Sequence, residues 1–228
     1  MIIVIPARGG SKRLPRKNIH NLCGKPLLAY TIESAIEADL GCPVIVSTED
    51  SEIAEISKQY GATVIRRPSV LAKDNSTTEE ALLDVIEQLA NTKLYPQWIM
   101  TLPPTSPLRS SETIKEFYDL SCTASANTDC IMSVSENLGD FWRSRESGDY
   151  ERLFPEAPRR QQERTPLYEE NSSIYLTRVS ALQQTESILG NETKPIIIDP
   201  LEAIDINTET DLWMVESLIL NMSNKSHD

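Results

Sequence analysis

The feature that most constrains this chain is a repeated alternation over its first 120 residues. Short β-branched runs are followed by stretches with apolar residues at helical spacing. Residues 2–5, 43–47, 62–65 and 98–102 read as strands. Between them, Leu28, Ile32, Ala35 and Ile36 mark one face of a helix, and Ile53 and Ile56 lie on a second. Leu82, Val85, Ile86 and Leu89 mark a third helix, preceded by a capping-box pattern of Thr77 and Glu80. Residues 111–120 predict a fourth helix, and 130–134, 173–177 and 195–198 further strands. A last helix starts near Thr208, with Leu212, Val215, Leu218 and Ile219 inward. The alternation implies an α/β fold: a Rossmann-like, mostly parallel sheet with helices on both faces. Ligands of such sheets sit beyond the carboxyl ends of the strands. That rule points to three loops, 6–18, 47–50 and 103–109.

No internal repeat or low-complexity linker divides the chain, so residues 1–220 are expected to form one domain. Residues 135–170 interrupt the alternation. They are rich in Arg, Glu and Pro and read as an insertion, a lid or a subunit arm. Residues 221–228 are expected to be a frayed tail. The apolar run 1–6 is too short to span a membrane and lacks the pattern of a signal peptide, so it reads as a buried strand. Cys23, Cys42, Cys122 and Cys130 show no metal-ligand spacing, and scattered free thiols fit a cytoplasmic location.

Charge narrows the partners. A net charge of −12 argues against nucleic acid and anionic membranes. Yet no acid precedes Glu33, while Arg8, Lys12, Arg13, Arg16, Lys17 and Lys25 all do. A cationic island in an acidic chain suggests a site for a small anion. Its centre is the loop from Pro6 to Asn18, directly after the first strand. Gly9-Gly10 is the one adjacent pair among eight glycines, and would let backbone N–H groups approach a phosphate. Arg8 brings a fork of donors, and Lys12 and Lys17 bring point charges. The loop is neither a Walker A sequence nor a G-x-G-x-x-G fingerprint; the alternative is a solvated basic turn.

The run I-P-A-R-G-G-S-K-x-x-P-x-K-N resembles the opening of the CMP-sialic acid synthetases, the acylneuraminate cytidylyltransferases. Five later blocks are similar to that family, in its order. Arg67-Pro68 with Leu71-Ala72-Lys73-Asp74 resembles R-P-x-x-L-A-x-D. Leu102 to Arg109 resembles L-Q-P-T-S-P-L-R. Arg159-Arg160-Gln161 resembles the basic R-R-Q motif, Asn171 to Tyr175 resembles N-G-x-x-Y, and Ile204 to Glu209 resembles I-D-I-D-T-E.

The resemblance implies a nucleotidyltransferase architecture of glycosyltransferase A type with a small dimerisation insertion. It implies transfer of CMP from CTP to the anomeric hydroxyl of a nine-carbon 2-keto-3-deoxy sugar acid, with release of pyrophosphate. By resemblance Arg8, Lys12 and Lys17 bind phosphates, with Gly10 and Ser11 adding donors, and Asn18 contacts the ribose. Arg67 would read the cytosine, and Asp74, Ser76 and Thr78 would line the nucleotide site; Ser76 and Thr78 could instead serve helix capping near Thr77. Thr105, Ser106, Arg109, Gln161 and Tyr175 would face the sugar. Arg159 and Arg160 would hold its carboxylate, or else form a subunit salt bridge. Asp205 and Asn207 would hold Mg²⁺, with Mn²⁺ as the alternative ion; Asp205 could otherwise be only a helix N-terminal acid. A homodimer follows by resemblance, its arm closing over the partner's sugar pocket through Phe141, Trp142 and Phe154.

Three departures matter. Asn207 stands where many members carry a second Asp, and lacks its charge. Pro103 replaces a Gln that can hydrogen-bond the sugar. N-acetylneuraminate is therefore one candidate beside legionaminic acid, pseudaminic acid and a deaminated sugar. Ser172 replaces a Gly, which predicts a position without easy access to positive φ. Two other readings remain: a nucleotidyltransferase with another base, another acid or a phosphonate acceptor, and a non-catalytic nucleotide-binding regulator.

Overall fold

The structure is a computed structural model that describes the backbone of residues 1–225 and side chains as far as Met222. In chain order its elements begin with β1 (Ile2–Pro6), the short β2 (Asn21–Leu22) and β3 (Lys25–Pro26), and α1 (Leu27–Glu37). Then come β4 (Val44–Thr48), α2 (Ser51–Gln59), β5 (Thr63–Arg66), α3 (Thr78–Ala90), β6 (Trp98–Thr101) and α4 (Ser111–Thr123). The second half holds β7 (Cys130–Asn137), β8 (Trp142–Ser144), β9 (Tyr150–Arg152), β10 (Leu167–Arg178), α5 (Val179–Thr185), β11 (Thr193–Ile197) and α6 (Glu209–Lys225).

Seven strands form one sheet in the order β11-β7-β10-β6-β1-β4-β5. β1 runs parallel to β4 and β6, and β4 parallel to β5. β10 alone runs against its neighbours, β6 and β7. Period-two alternation explains the two cores. Ile3 and Ile5 of β1 face a cluster with Leu28, Ile32 and Phe117, while Ile2 and Val4 face one with Leu82, Val85 and Leu182. The expected capping box at Thr77 and Glu80 is formed in full. Helix α6 has a similar device: Thr208 N–H donates to Asp211 at 2.7 Å, and Asp211 N–H returns to Thr208 Oγ1 at 3.3 Å.

Several boundaries differ from expectation. Ile36 is exposed, at the rim of α1 against the Gly61 turn, because Ala38, two residues on, takes the inward place. Helix α5 and the pairs β2–β3 and β8–β9 are too short to show a period. The tail expected from residue 221 is helical as far as Lys225, since α6 simply continues; residues 226–228 lie outside the described residues. Ser172 does adopt positive φ, at +58°. It sits where the β7–β10 register shifts between Glu170 and Tyr175. That irregularity splits β10: residues 175–178 belong to the main sheet, and 167–170 run into the 135–170 arm with β7.

A third core cluster positions the site. Leu14 of the basic loop is buried with Leu22, Leu27, Ile206, Leu212 and Val215. Burying one leucine contributes about 2 kcal/mol. An apolar pin thus holds the most basic loop of the chain against the segment that carries Asp205.

Candidate active site

The three expected loops do meet at the carboxyl edge of β1, β4 and β6. A cleft of ≈ 380 Å³ is lined by Arg8, Gly10, Ser11, Lys12, Lys17, Asn18, Asp74 and Asn207. A second, of ≈ 300 Å³, shares Arg8, Lys17 and Asn18 and adds Arg67, Ser76, Thr78 and Thr105. A third, of ≈ 340 Å³, opens at the β10 irregularity around Glu169, Glu170, Asn171, Ser172 and Asp205.

The basic loop is held by acids from the end of β4. Gly9 N–H donates to Glu49 Oε1 at 2.7 Å. Arg16, at φ +55°, pairs with Asp50 at 2.5 Å and Glu52 at 2.6 Å. Asp50 also caps α2 by accepting from Glu52 and Ile53 N–H. The hydrogen bond from Arg16 holds its carboxyl below the usual range, against the effect of burial. A Cβ on Gly9 would lie 2.6 Å from Asp50 Oδ2, whereas Gly10 faces open space. The two glycines therefore differ in role: Gly9 permits packing and Gly10 lines the cleft. Glu49 and Asp50 were invisible as site supports in the sequence; an acid pair closing a strand just before a helix was the available signal.

Charge in the cleft is only partly spent. Lys12 meets Asp74 at 2.8 Å with its side chain 74% exposed, and Arg8 donates to the Lys73 carbonyl at 2.8 Å. Lys17 Nζ donates to the Ile206 carbonyl at 2.9 Å, and burial lowers its pKa while Asp205 opposes that shift. Asn18 is buried and donates to the Arg8 carbonyl at 2.8 Å, so it shapes the loop from beneath as well as lining the cleft. Arg67 is buried too. It is braced on Ser47 through Nε to Oγ at 3.1 Å and Nη2 to the carbonyl at 2.8 Å. Burial pushes its pKa down, with Glu49 opposing. Ser76 Oγ donates to the Val70 carbonyl, and the cap of α3 is Thr77 itself, which leaves Thr78 free of that duty.

Asp205 and Asn207 stand between the clefts. Asn207 Nδ2 donates to Asp205 Oδ2, and its Oδ1 lies 3.4 Å from Lys17 Nζ. The reverse amide orientation would set like atoms against each other on both sides, so the donor side faces Asp205. Asp205 Oδ1 is buried without a partner. Thr105 is tied to this segment, its carbonyl accepting from Ile206 N–H at 2.8 Å.

Four expectations need correction or relocation. Arg109 does not face a sugar cleft: it is 2% exposed and donates to the Ser173 carbonyl at 2.6 Å and Thr31 Oγ1 at 3.0 Å. Ser106 is buried beside it in the same turn, and its Oγ has no partner. Tyr175 is in the core, its Oη donating to Glu170, and burial raises its pKa. Arg159, Arg160 and Gln161 lie on the arm. Arg159 pairs with Asp140 at 3.5 Å and Arg160 with Glu163 at 3.3 Å, both side chains at least 75% exposed. Their short-range partners are arm residues, not cleft residues.

A twisted parallel sheet with one reversed strand, helices on both faces and a basic loop after the first strand defines an α/β nucleotidyltransferase. Residues 2–179 match the cytidylyltransferase family, and the chain belongs to it. Over 224 residues it is 31% identical to the CMP-N,N'-diacetyllegionaminic acid synthase of Legionella pneumophila, covering 96% of each chain. It is also 31% identical over 214 residues to an N-acylneuraminate cytidylyltransferase of Escherichia coli, spanning 92% of this chain and 50% of that one. Among solved structures, a CMP:2-keto-3-deoxy-manno-octonic acid synthetase complexed with CTP superposes with a TM-score of 0.69. It covers 97% of this chain and 98% of its own, and at 17% identity it speaks for the fold.

Proposed function

We propose that the chain transfers CMP from CTP to the anomeric hydroxyl of a nine-carbon 2-keto-3-deoxy sugar acid. The observation that carries this is a pair of adjoining clefts that share Arg8, Lys17 and Asn18, with Lys12 in one and Arg67 in the other, bordered by Asn207 and the Asp205 carboxylate it holds. Arg8, Lys12 and Lys17 take the triphosphate, with Gly10 and Ser11 alongside. Arg67 meets the cytosine, whose O2 and N3 accept from a guanidinium. The anomeric oxygen bonds to the α-phosphorus, the bond to the β-phosphate oxygen breaks, and pyrophosphate leaves with the charge those cations absorb; the hydroxyl proton passes to solvent. No covalent enzyme intermediate is needed, so the protein acts by positioning and by charge.

Asp205 fits a divalent cation. Its Oδ1 is buried and unpartnered, and the described residues hold no cluster of three or more His, Cys, Asp or Glu for a metal. One carboxylate plus phosphate oxygens is the ordinary Mg²⁺ arrangement, and Mn²⁺ accepts the same ligands. Bound there, the ion neutralises phosphate charge. Asn207 would act by holding Asp205 and join the ion only after its amide turns over.

The acceptor fits the third cleft. That cleft is lined by Glu169, Glu170 and Asp205 and by no Lys, Arg or His. Carboxylates there accept sugar hydroxyl and amide N–H groups, but the sugar's own carboxylate needs a cation from outside. Arg159 and Arg160 on the exposed arm suit that role when the arm belongs to a second subunit. Trp142 and Phe154, 55% and 45% exposed, suit its contact. A cytoplasmic homodimer is the state we infer. No helix among the described residues is long and apolar enough to cross a membrane.

The test is pyrophosphate release with CTP, ATP, GTP and UTP against a panel of acids: N,N'-diacetyllegionaminic, pseudaminic, N-acetylneuraminic and deaminated nine-carbon acids. Turnover with CTP and at least one of these acids is expected. Calorimetric CTP binding with no turnover on any acid rejects the reading.

A further inference from the structure

The register shift between β7 and β10 opens into the third cleft. Val134 pairs with Glu170 and Met132 with Tyr175, so four residues, 171–174, stand opposite Ser133 alone. An insertion of that size strands backbone groups, which need other partners where they are buried. Ser133 and the Asn171 side chain supply them. Ser133 is 1% exposed; its Oγ accepts from Ile174 N–H at 2.9 Å and donates its proton to Asn171 Oδ1 at 2.6 Å. The Ile174 carbonyl, at 3.3 Å, is the more distant alternative for that proton. Asn171 Oδ1 also accepts from Ser173 N–H at 3.2 Å, which fixes the orientation of the amide, and Nδ2 then donates to Ser135 Oγ at 3.1 Å. Among the described residues, no side-chain atom of this set is buried without a partner, in contrast to Ser106. A polar network satisfied throughout makes its surroundings rigid.

The same network holds a strained turn and one wall of the cleft. Ser172, at φ +58°, sits between two anchored residues, Asn171 and Ser173. A non-glycine residue keeps such a conformation only where its neighbours over-determine it. Ser173 is fully buried and donates through Oγ to the Glu202 carbonyl at 3.1 Å, which ties the irregularity to the turn that leads to Asp205. Asn171, Ser172 and Ser135 line the third cleft together with Pro200, Ala203 and Asp205. Ser133 lines none of the three clefts and reaches the third only through Asn171. By strand parity it lies on the side of β7 that buries Ile131 in the core. An apolar residue there would pack, but would leave Ile174 N–H without its hydroxyl partner.

We infer that Ser133 is a positioning residue for the acceptor: acting through the Asn171 amide, it holds the wall of the third cleft in the shape that the sugar acid meets. The inference rests on the proposed function in taking that cleft as the acceptor site. Its effect falls on the acceptor and not on CTP, because Arg8, Lys17 and Arg67 are braced on other segments.

Ser133→Ala is expected to raise the KM for the acceptor about three- to tenfold, the range of one lost hydrogen bond, with kcat and the KM for CTP each within about twofold. Amide hydrogen exchange, read by mass spectrometry without substrates, should quicken in peptides covering 171–175 and not in those covering the basic loop. Asn171→Ala should raise the acceptor KM at least as far. Ser133→Ala/Asn171→Ala should go no further than Asn171→Ala alone, since one residue acts through the other. If Ser133→Ala does not fold, Ser133→Cys, near in size and with a weak donor, decides by the same selective rise in acceptor KM. A lower Tm with a wild-type acceptor KM overturns the inference, as do losses that add in the double variant or unchanged exchange at 171–175; the serine would then support β7 alone. If the wild-type protein turns over no acid, the proposed acceptor is rejected, and faster exchange at 171–175 in Ser133→Ala would leave the hold on the cleft wall standing.

Discussion

The cleft proposed for the nucleotide and the arm draw on the same residue types, arginine against carboxylate, and end in opposite states. In the cleft, Lys12 meets one exposed acid, and Arg8 and Arg67 hold mainly backbone and hydroxyl oxygens, so their charge remains available. On the arm, Arg143 and Arg145 close on Glu151, and Asp140 gathers Arg152, Arg159 and Arg164. The cleft is set by strand ends that the sheet fixes within one chain. The arm's cations are paired within the arm, and under the proposed function its basic motif serves the acceptor by meeting a second subunit. Variants in the two regions should therefore separate nucleotide use from acceptor use.

The largest effect is expected at the junction of the two. Asp205→Asn should reduce kcat by ~100-fold or more, since it removes a carboxylate that lines the third cleft and has one buried oxygen without a partner. Asn207→Asp should keep the rate or raise it at limiting Mg²⁺, because a second charge offsets the lost donor to Asp205. A Mg²⁺ titration of both variants measures this, and a fully active Asp205→Asn protein removes Asp205 from the site.

A smaller, one-sided effect is expected on the arm. Arg160→Ala and Arg159→Ala should lower kcat/KM for the sugar acid roughly 10–100-fold, the value of a charge-assisted hydrogen bond, and leave calorimetric CTP affinity unchanged. Equal losses for both substrates would erase the contrast. Sedimentation of the wild-type protein accompanies this test: a fully active monomer at assay concentration would show that the arm serves its own chain.

On the cleft side, the loop's acid anchors predict a pH signature. Asp50 has a folded pKa below its unfolded value near 3.9, chiefly through the Arg16 hydrogen bond. The stability this contributes is present above about pH 4 and is lost as pH falls through the lower folded pKa. Arg16→Met should cost roughly 0.5–1 kcal/mol at pH 7, discounted because Arg16 is 41% exposed. Urea melts at pH 7 and pH 3 should show the gap to wild type closing in acid. A gap that persists at pH 3 would assign the effect to packing.

The cleft was legible in the sequence because its parts are local. The β-branched runs put three loops at one sheet edge, and five like charges without an acid mark the loop proposed to bind phosphates. What escaped was long-range. Leu14 reads as one apolar residue in a basic run, yet it packs against Ile206, 192 positions away. Arg109 ends a block of site-like residues, and nothing local says that its fork turns inward to Ser173 and Thr31. Tyr175 lies on the inward side of β10 by strand parity, which a resemblance centred on Asn171 does not weigh. The arm's fold came from cross-strand ion pairs that carry no period.

Ser172 gives the finest test, because it lies where arm and sheet part. Its φ of +58° costs a non-glycine residue about 1–2 kcal/mol. Glycine would relieve that strain and lose roughly 0.5–1 kcal/mol to the freedom of the unfolded chain. The remaining debit is the contact of Ser172 Oγ with Tyr175 Oη at 3.1 Å. The phenol has a single proton, which Glu170, acceptor-only when ionised, takes. Losing the serine therefore strands no buried donor. Ser172→Gly should change stability by only about 0.5 kcal/mol or less, toward the more stable side, with the urea slope and the acceptor KM unchanged. Ser172→Val, β-branched in the left-handed region, should instead cost more than about 1 kcal/mol and raise the acceptor KM, since residue 172 lines the third cleft. A Ser172→Gly protein destabilised by more than about 1 kcal/mol would mean that the hydroxyl, and not the backbone turn, holds β10 at the point where it leaves the sheet.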